Sequence, residues 1–505
     1  MKKRWSIGKI LIVYLISMIM ILLLIAGGFY LWLQKGGNKL NKPAALGNRI
    51  LRAALGGESE RGHRSGDDDG GKERGRRADA EPAEEPEDDP EEERIQSGSQ
   101  DRIVRDRLVT PVGDGKDKVT VMIYLNGSNL ESDSGFATGD IAEMLKAEAS
   151  DQVNVVIETL GTRRWQRFGI SADHTQRWHI ENHELVLVDN NLKQLDCTDP
   201  RTLSDFVQWS AEQYPADRYF LILWDHGGGS VEGYGFDQWQ DYEASLTMDE
   251  IYSALEQTGV VFDFIGFDAC IMSSIEICYA LYPFCDYCVL SEDFESAIGW
   301  SYTGWLTALA ENTSIDTEAL GKILIDDMVQ ANIKDSDGCD STLALIDERY
   351  IPSAFSSWMD FAFANEDTLL AVNYSREVER TERAKPLTDD RISSDLVGYY
   401  ITDALALVVS VDSPYSKPLV AKLAHAVSYY NCTNDNIGMT GLSVTLPYQD
   451  LDFYKNLGKV YSGIGIEKRY IEWLAKFQES YTPTEYYDYE EFDQQWNGWE
   501  AYTND

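Results

Sequence analysis

Tyr219-Phe-Leu-Ile-Leu-Trp224, running into Asp225-His226-Gly227-Gly228-Gly229, and Phe262-Asp-Phe-Ile-Gly-Phe267, running into Asp268-Ala269-Cys270, decide the fold of this 505-residue chain. Each begins as a short, unbroken apolar run, the pattern of a strand buried on both faces of a parallel sheet. Between them, Ser245 to Gln257 has helical spacing and contains Thr247-Met-Asp-Glu250, a capping-box pattern. Strand, helix, strand is the order of a parallel crossover, and open α/β sheets build their sites at the carboxyl ends of the strands. A histidine and a cysteine therefore leave the same sheet edge, as a thiol nucleophile and its base must. Helical spacing after Cys270 further predicts that the thiol sits near a helix N-terminus, where the macrodipole would lower its pKa from roughly 8.5.

His-Gly-Gly-Gly after one strand and Asp-Ala-Cys-Ile-Met after the next resemble the clostripain family of cysteine peptidases. Val119-Thr-Val-Met-Ile-Tyr-Leu-Asn-Gly-Ser-Asn-Leu-Glu131 resembles that family's first strand and loop, and Gly441-Leu-Ser-Val-Thr-Leu-Pro447 its late strand, so the likeness covers residues 118 to 450 or so. The resemblance implies a caspase-like α/β/α sandwich with a mainly parallel central sheet, a His-Cys dyad, and cleavage of polypeptides after arginine or lysine. On it, Cys270 is the nucleophile and His226 the general base and then acid. The backbone N–H groups of Gly227 and Cys270 form the oxyanion hole, where a glycine permits close backbone approach. Asp268 matches the acidic residue that lines the pocket for the basic substrate side chain, a charge-assisted contact worth ~1.5–3 kcal/mol.

Two departures qualify the likeness. Relatives often carry a second acidic residue just before Gly-Trp, where this chain reads Ser291-Glu-Asp-Phe-Glu-Ser-Ala-Ile298-Gly299-Trp300. Ile298 removes one carboxylate from the pocket, with Glu292, Asp293 or Glu295 as candidates to replace it. Relatives also nick themselves at a basic residue between the histidine and the cysteine, yet residues 227–269 contain no Lys or Arg. An intact single-chain catalytic domain is expected.

Taken singly, each residue has a plainer explanation. A cysteine at a strand end is more often packing than chemistry, and Asp268 alone could cap the following helix. A His-Gly-Gly-Gly loop also suits lipases and esterases, but these need a G-x-S-x-G elbow, and none occurs here. Cys285-x-x-Cys288, with Cys278 nearby, has ligand spacing, but no second pair and no neighbouring histidine accompanies it, so packing or a thiol pair is preferred to a metal site. His63 lies in a low-complexity tract, His174, His179 and His183 in a hairpin-like stretch, and His425 on an amphipathic helix; only His226 joins a buried strand to glycines. No cofactor is required. Calcium is left open by the many carboxylates, although no D-x-D-x-D-G loop marks a site.

The N-terminus reads as a membrane anchor. Met-Lys-Lys-Arg-Trp precedes an uncharged apolar segment from Ile10 to Leu33, whose 24 residues would span about 36 Å as a helix, enough to cross a bilayer. Lys2, Lys3, Arg4 and Lys9 before it outweigh Lys35, Lys39 and Lys42 after it, which favours an internal N-terminus and an extracytoplasmic catalytic domain. Residues 1–34 thus form a stub and signal anchor, 35–115 a low-complexity linker unable to bury a core, 116–350 the peptidase domain, and 351–505 a mostly helical C-terminal region packing on it. Within that region Ile351–Asn365, Leu396–Val411 and Ser416–Tyr430 read as helices before Leu442–Leu446 returns to strand. Arg102, Arg105 and Arg107 offer sites for proteolytic release from the membrane.

Residues 1–117 are balanced at 20 basic and 20 acidic, so the whole net charge of −41 falls on residues 118–505. Phosphate binding needs a basic face, which argues against nucleic acid and favours basic peptides as partners. Seven cysteines make no disulfide scaffold, and their odd number leaves at least one thiol unpaired in the expected monomer. The alternative to a peptidase is a catalytically silent, surface-tethered binding or scaffold protein that keeps the same fold, motivated by Ile298 and the absent processing site.

Overall fold

A computed structural model of the protein describes residues 104–240, 244–335, 341–371, 401–433, 439–447 and 451–480. All lie within the compact unit Leu46–Asp505. The apolar segment Ile10–Leu33, most of the linker, Arg102 and the tail from Tyr481 lie outside the described residues. No helix among the described residues is long and apolar enough to cross a membrane.

Strands β1 (Val119–Asn126), β2 (Val153–Leu160), β3 (Gln176–Glu181), β4 (Glu184–Asp189), β5 (Arg218–Trp224), β6 (Phe262–Asp268), β7 (Cys285–Leu290), β8 (Thr342–Asp347) and β10 (Val427–Cys432) form one sheet, ordered β10-β8-β7-β6-β5-β1-β2-β3-β4. The five central strands, from β7 to β2, are mutually parallel. Antiparallel strands close both sides. The hairpin joining β3 to β4 turns at Asn182 and His183, whose φ of 49° and 67° suit a two-residue turn.

Side chains alternate across each strand, so the central strands feed two cores. Val119, Val121, Ile123 and Leu125 of β1 enter one, while Met122 and Tyr124 enter the other. Helices α1 (Ser128–Ser134) and α2 (Phe136–Met144) follow β1, α3 (Pro200–Gln213) precedes β5, and α4 (Gly229–Glu232) and α5 (Met248–Thr258) connect β5 to β6. Then come α6 (Ile275–Leu281), α7 (Tyr302–Glu311), α8 (Thr317–Asp335), α9 (Ile351–Ala364) and α10 (Glu366–Ala371). Residues of α2, α7 and α8 fill one core, and those of α3, α5, α6 and α9 the other. The result is helices on both faces of a mainly parallel sheet. Helix α5 begins with the expected capping box, Thr247 and Glu250 bonding reciprocally.

The described residues of the C-terminal region are less helical than their sequence predicts. Of the expected helix Leu396–Val411, residues 396–400 lie outside the described ones; Ile401–Asp403 is strand β9, and Ala404–Ser410 (α11) is helical, started by Asp403 accepting from Ala406 N at 2.6 Å. Helix α12 (Ser416–Ala426) stops before Tyr430, because Val427–Cys432 pairs with β8 as the sheet's edge. Apolar residues three apart satisfy a helical spacing, but Val-Ser-Tyr-Tyr is equally a half-buried strand. Strand β11 (Ser443–Thr445) pairs with β9, and Ser443 N also donates to Ser273 O. Helices α13 (Leu451–Gly463) and α14 (Lys468–Ser480) complete the described chain.

Candidate active site

The order of the central strands places the site. From β1 the chain steps to β2 on one side, while β5, β6 and β7 follow on the other, so β1 and β5 flank the point where the winding reverses. Ligands of open α/β sheets bind beside that point, at the carboxyl ends. Three segments leave there: Gly127 and the start of α1, Ser128-Asn129, after β1; Asp225-His226-Gly227 after β5; and Ala269-Cys270-Ile271 after β6. Trp224 of β5 is level with Asp268 of β6, and Asp225 N donates to Asp268 O at 3.3 Å, so His226 and Cys270 leave neighbouring strands at the same level. Both are half-buried.

Gly227 makes the close approach of the two loops. A β-carbon there would stand 2.0 Å from the Cys270 carbonyl oxygen, an overlap no other residue avoids. Gly228 N donates to Gly233 O and Gly235 N to His226 O, and neither bond uses the Gly227 N–H. Cys270 sits in a turn whose next residue, Ile271, has φ of 51°, an unusual conformation for a β-branched side chain. Such strain persists only where surroundings impose it. Here Ile271 N donates to Asp293 O at 2.9 Å and its side chain is buried. The Cys270 thiol lies against Glu295, accepting from its N–H at 3.2 Å and donating to its carbonyl at 3.7 Å.

His226 is held on two sides. Its Nε2 lies 2.8 Å from Asn129 Oδ1, and its ring stacks on Phe236 with centroids 5.3 Å apart. Desolvation lowers its pKa to about 4, so the imidazole is neutral and able to accept a proton at neutral pH.

Three carboxyl groups gather around Asp268, two residues before Cys270. Asp268 accepts from Tyr302 Oη at 2.8 Å and from Trp300 N at 3.2 Å, and burial raises its pKa to about 7. Glu295 faces it, and burial and then Asp268 push its carboxyl well above the usual range, while both its oxygens lack a well-aligned donor. Asp140, accepting from Trp224 Nε1 at 2.7 Å, is raised by burial and then by Asp268. No lysine or arginine among the described residues forms an ion pair with any of the three.

The sequence profile of the clostripain family matches residues 123–410, more than half of the chain. The chain belongs to the clostripain family. Clostripain of Hathewaya histolytica is 30% identical over 195 residues, which cover 33% of this chain and 36% of that protein, so the match spans about a third of the relative's length. Two solved structures share the fold. A secreted C11 cysteine protease from Bacteroides thetaiotaomicron in complex with an irreversible peptide inhibitor has TM-score 0.51 and 16% identity, covering 69% of this chain and 99% of its own. An inactive zymogen C11 protease from Parabacteroides distasonis has TM-score 0.53 and 19% identity, covering 73% of this chain and 100% of its own.

Within this clostripain-family fold, the sequence-predicted residues His226, Gly227, Asp268 and Cys270 come together at one sheet edge. Among the three acids expected as substitutes for Ile298, only Glu295 turns its carboxyl toward Asp268. Glu292 instead accepts from Gly441 N at 2.7 Å, and Asp293 from Phe294 N. The expected helix N-terminus at Cys270 is a correction: α6 starts only at Ile275, capped by Ser274, and a dipole's influence fades within a turn. Asn129, Asp225 and Tyr302 escaped the sequence reading, although Asn129 lies in the quoted first-loop motif and Asp225 directly precedes His226.

Arg105 and Arg107 lie elsewhere. Arg105 pairs with Asp286 at 2.8 Å and Arg107 donates to Tyr287 Oη at 2.8 Å, at the start of β7. That start is level with Phe262, the first residue of β6, so about 20 Å of strand separates it from Cys270. Cys285 and Cys288 are free thiols with sulfurs 3.6 Å apart. Asp196, Cys197 and Asp237 place ligand atoms within 4.8 Å of one another. Their carboxylates already cap turns, accepting from Thr198 N, Cys197 N and Trp239 N, and a thiol suits calcium poorly.

Proposed function

We propose that this protein is a cysteine endopeptidase that cleaves after arginine or lysine through Cys270 and His226. The observation that carries this reading is the shared level of the two residues on adjacent parallel strands, with Gly227 packed on the Cys270 backbone. His226 takes the thiol proton as sulfur attacks the scissile carbonyl carbon, and the N–H groups of Gly227 and Cys270 receive the oxyanion. The tetrahedral adduct collapses to a thioester as His226 returns the proton to the leaving amine. Water, deprotonated by His226, then releases the acid and restores the thiol. Asp268 and Glu295 bind the basic side chain of the residue before the cut, Glu295 supplying the carboxylate that Ile298 lacks.

Two further parts of the reading rest on sequence alone. Ile10–Leu33 anchors the chain with its catalytic domain outside the cytoplasm, and the catalytic domain works as one uncut, monomeric chain without an obligatory ion. The test is hydrolysis of a peptide library by the full chain in intact cells and isolated membranes, with and without reductant and chelator, beside Cys270→Ala. Activity toward external peptides should sediment with membranes, survive the chelator and fall at least ~10³-fold in the variant. Hydrolysis retained by Cys270→Ala, or a Cys270-dependent cut within residues 227–269, would overturn the mechanism or the single-chain reading respectively. No hydrolysis under any condition would favour the silent scaffold.

A further inference from the structure

We infer that Asn129 is a positioning residue that fixes the tautomer of His226, making the working unit Cys270, His226 and Asn129. The inference rests on the peptidase reading for its kinetic consequence but not for its geometry. A neutral imidazole carries its proton on one nitrogen only, and whichever nitrogen faces the thiol must be bare to act as base. Asn129 Oδ1 can only accept, so at 2.8 Å it selects the form with the proton on Nε2 and leaves the lone pair on Nδ1. No other polar partner of His226's ring is found among the described residues, so nothing else there makes the choice.

The surroundings of Asn129 are built to hold it. Ser128, the first residue of α1, takes φ of 40°, left-handed for a residue with a side chain. It is kept there by its Oγ donating to Asp225 Oδ1 at 2.6 Å and its carbonyl accepting from Thr162 Oγ1 at 2.7 Å. Asp225 Oδ2 in turn accepts from Phe236 N at 3.0 Å and from Asn126 Nδ2. One buried carboxyl, adjacent in sequence to His226, thus ties together the start of α1, which bears Asn129, and the loop whose Phe236 ring stacks on the imidazole. Asn129 and His226 are joined once directly and once through Ser128 and Asp225.

The experiment compares the full chain with Asn129→Ala and Asn129→Asp by ¹⁵N-histidine NMR and by kinetics. Only six histidines need assignment, and His226→Gln identifies the relevant signals. The parent should show the Nε2–H form, and Asn129→Ala a mixture, with kcat down about 10- to 100-fold and KM within about twofold. Asn129→Asp should restore the Nε2–H form and move the histidine's titration upward, since a carboxylate beside Nε2 favours the imidazolium. An unchanged tautomer in Asn129→Ala would overturn the inference, as would a parent in the Nδ1–H form. If the parent hydrolyses no peptide while Asn129→Ala still mixes the tautomers, the peptidase reading fails and the positioning role stands.

Discussion

At the scale of single residues, Asp268 and Glu295 decide how the charge of the proposed substrate pocket depends on pH. Burial raises both carboxyls, Asp268 to about 7, and Asp268 pushes Glu295 up further while the hydrogen bond from Glu295 holds Asp268 down, so the pair retains a proton below neutrality. A guanidinium or ammonium entering the pocket must meet ionised oxygens, hence kcat/KM for an arginine substrate should climb as pH rises through about 7. His226, with its pKa lowered to about 4, is already neutral there and contributes no limb in that window. A glutamine substrate should therefore give a flat profile over the same range. Glu295→Gln should cost arginine peptides about 10- to 100-fold in kcat/KM and spare glutamine peptides. Identical profiles for both peptides would remove Asp268 and Glu295 from the pocket. The strand-end residues His226, Asp268 and Cys270 were legible in sequence because an apolar run fixes where a strand stops. Glu295 was not separable from Glu292 and Asp293, since loops lack a period and only three-dimensional packing sends Glu292 to Gly441.

At the scale of elements, the described residues just before β1, from Arg105 to Val109, belong to the folded body. Asp286, itself buried, accepts from Leu108 N, Val109 N and Arg105 Nη1, so residues 105–109 are fastened across the start of β7. The low-complexity composition of the preceding residues conceals this, because one buried aspartate, rather than an apolar pattern, does the fastening. Arg105→Ala leaves that carboxylate without its cation and should destabilise the protein by about 3 kcal/mol, read as a lower denaturant midpoint with unchanged slope. An unaltered midpoint would make the segment a passive passenger. Release by self-cleavage at Arg105 or Arg107 is disfavoured on the same ground, since their segment is pinned at the opposite sheet edge from Cys270. The crossover β5-α5-β6 was legible through buried runs and a capping box. Strands β9 and β10 were not, since three- and six-residue strands following or preceding helical spacing give periodicity too few residues to decide.

At the scale of the molecule, an excess of acid on residues 118–505 couples stability to pH, and sequence alone cannot say which carboxyls carry that coupling. Burial separates them. Asp225 and Glu348 are raised to about 8, and Asp268 and Glu276 to about 7, each chiefly by desolvation. Unfolded, such groups titrate near ~4, so between pH 4 and 8 the folded chain holds protons that the unfolded chain has released. Stability must then fall as pH rises through that interval. His226 opposes this in a narrower window, because its lowered pKa makes the unfolded state the better proton binder between its folded value of about 4 and its ordinary value of about 6.5. Four raised carboxyls outweigh one histidine, and Tm should be higher at pH 5 than at pH 8. Surface repulsion among the acidic residues acts in the same direction but is screened by salt, whereas buried groups are not. The difference in Tm should therefore shrink only in part at 1 M salt. Its complete disappearance would assign the effect to the surface, and a higher Tm at pH 8 would mean that these carboxyls ionise without penalty in the folded protein.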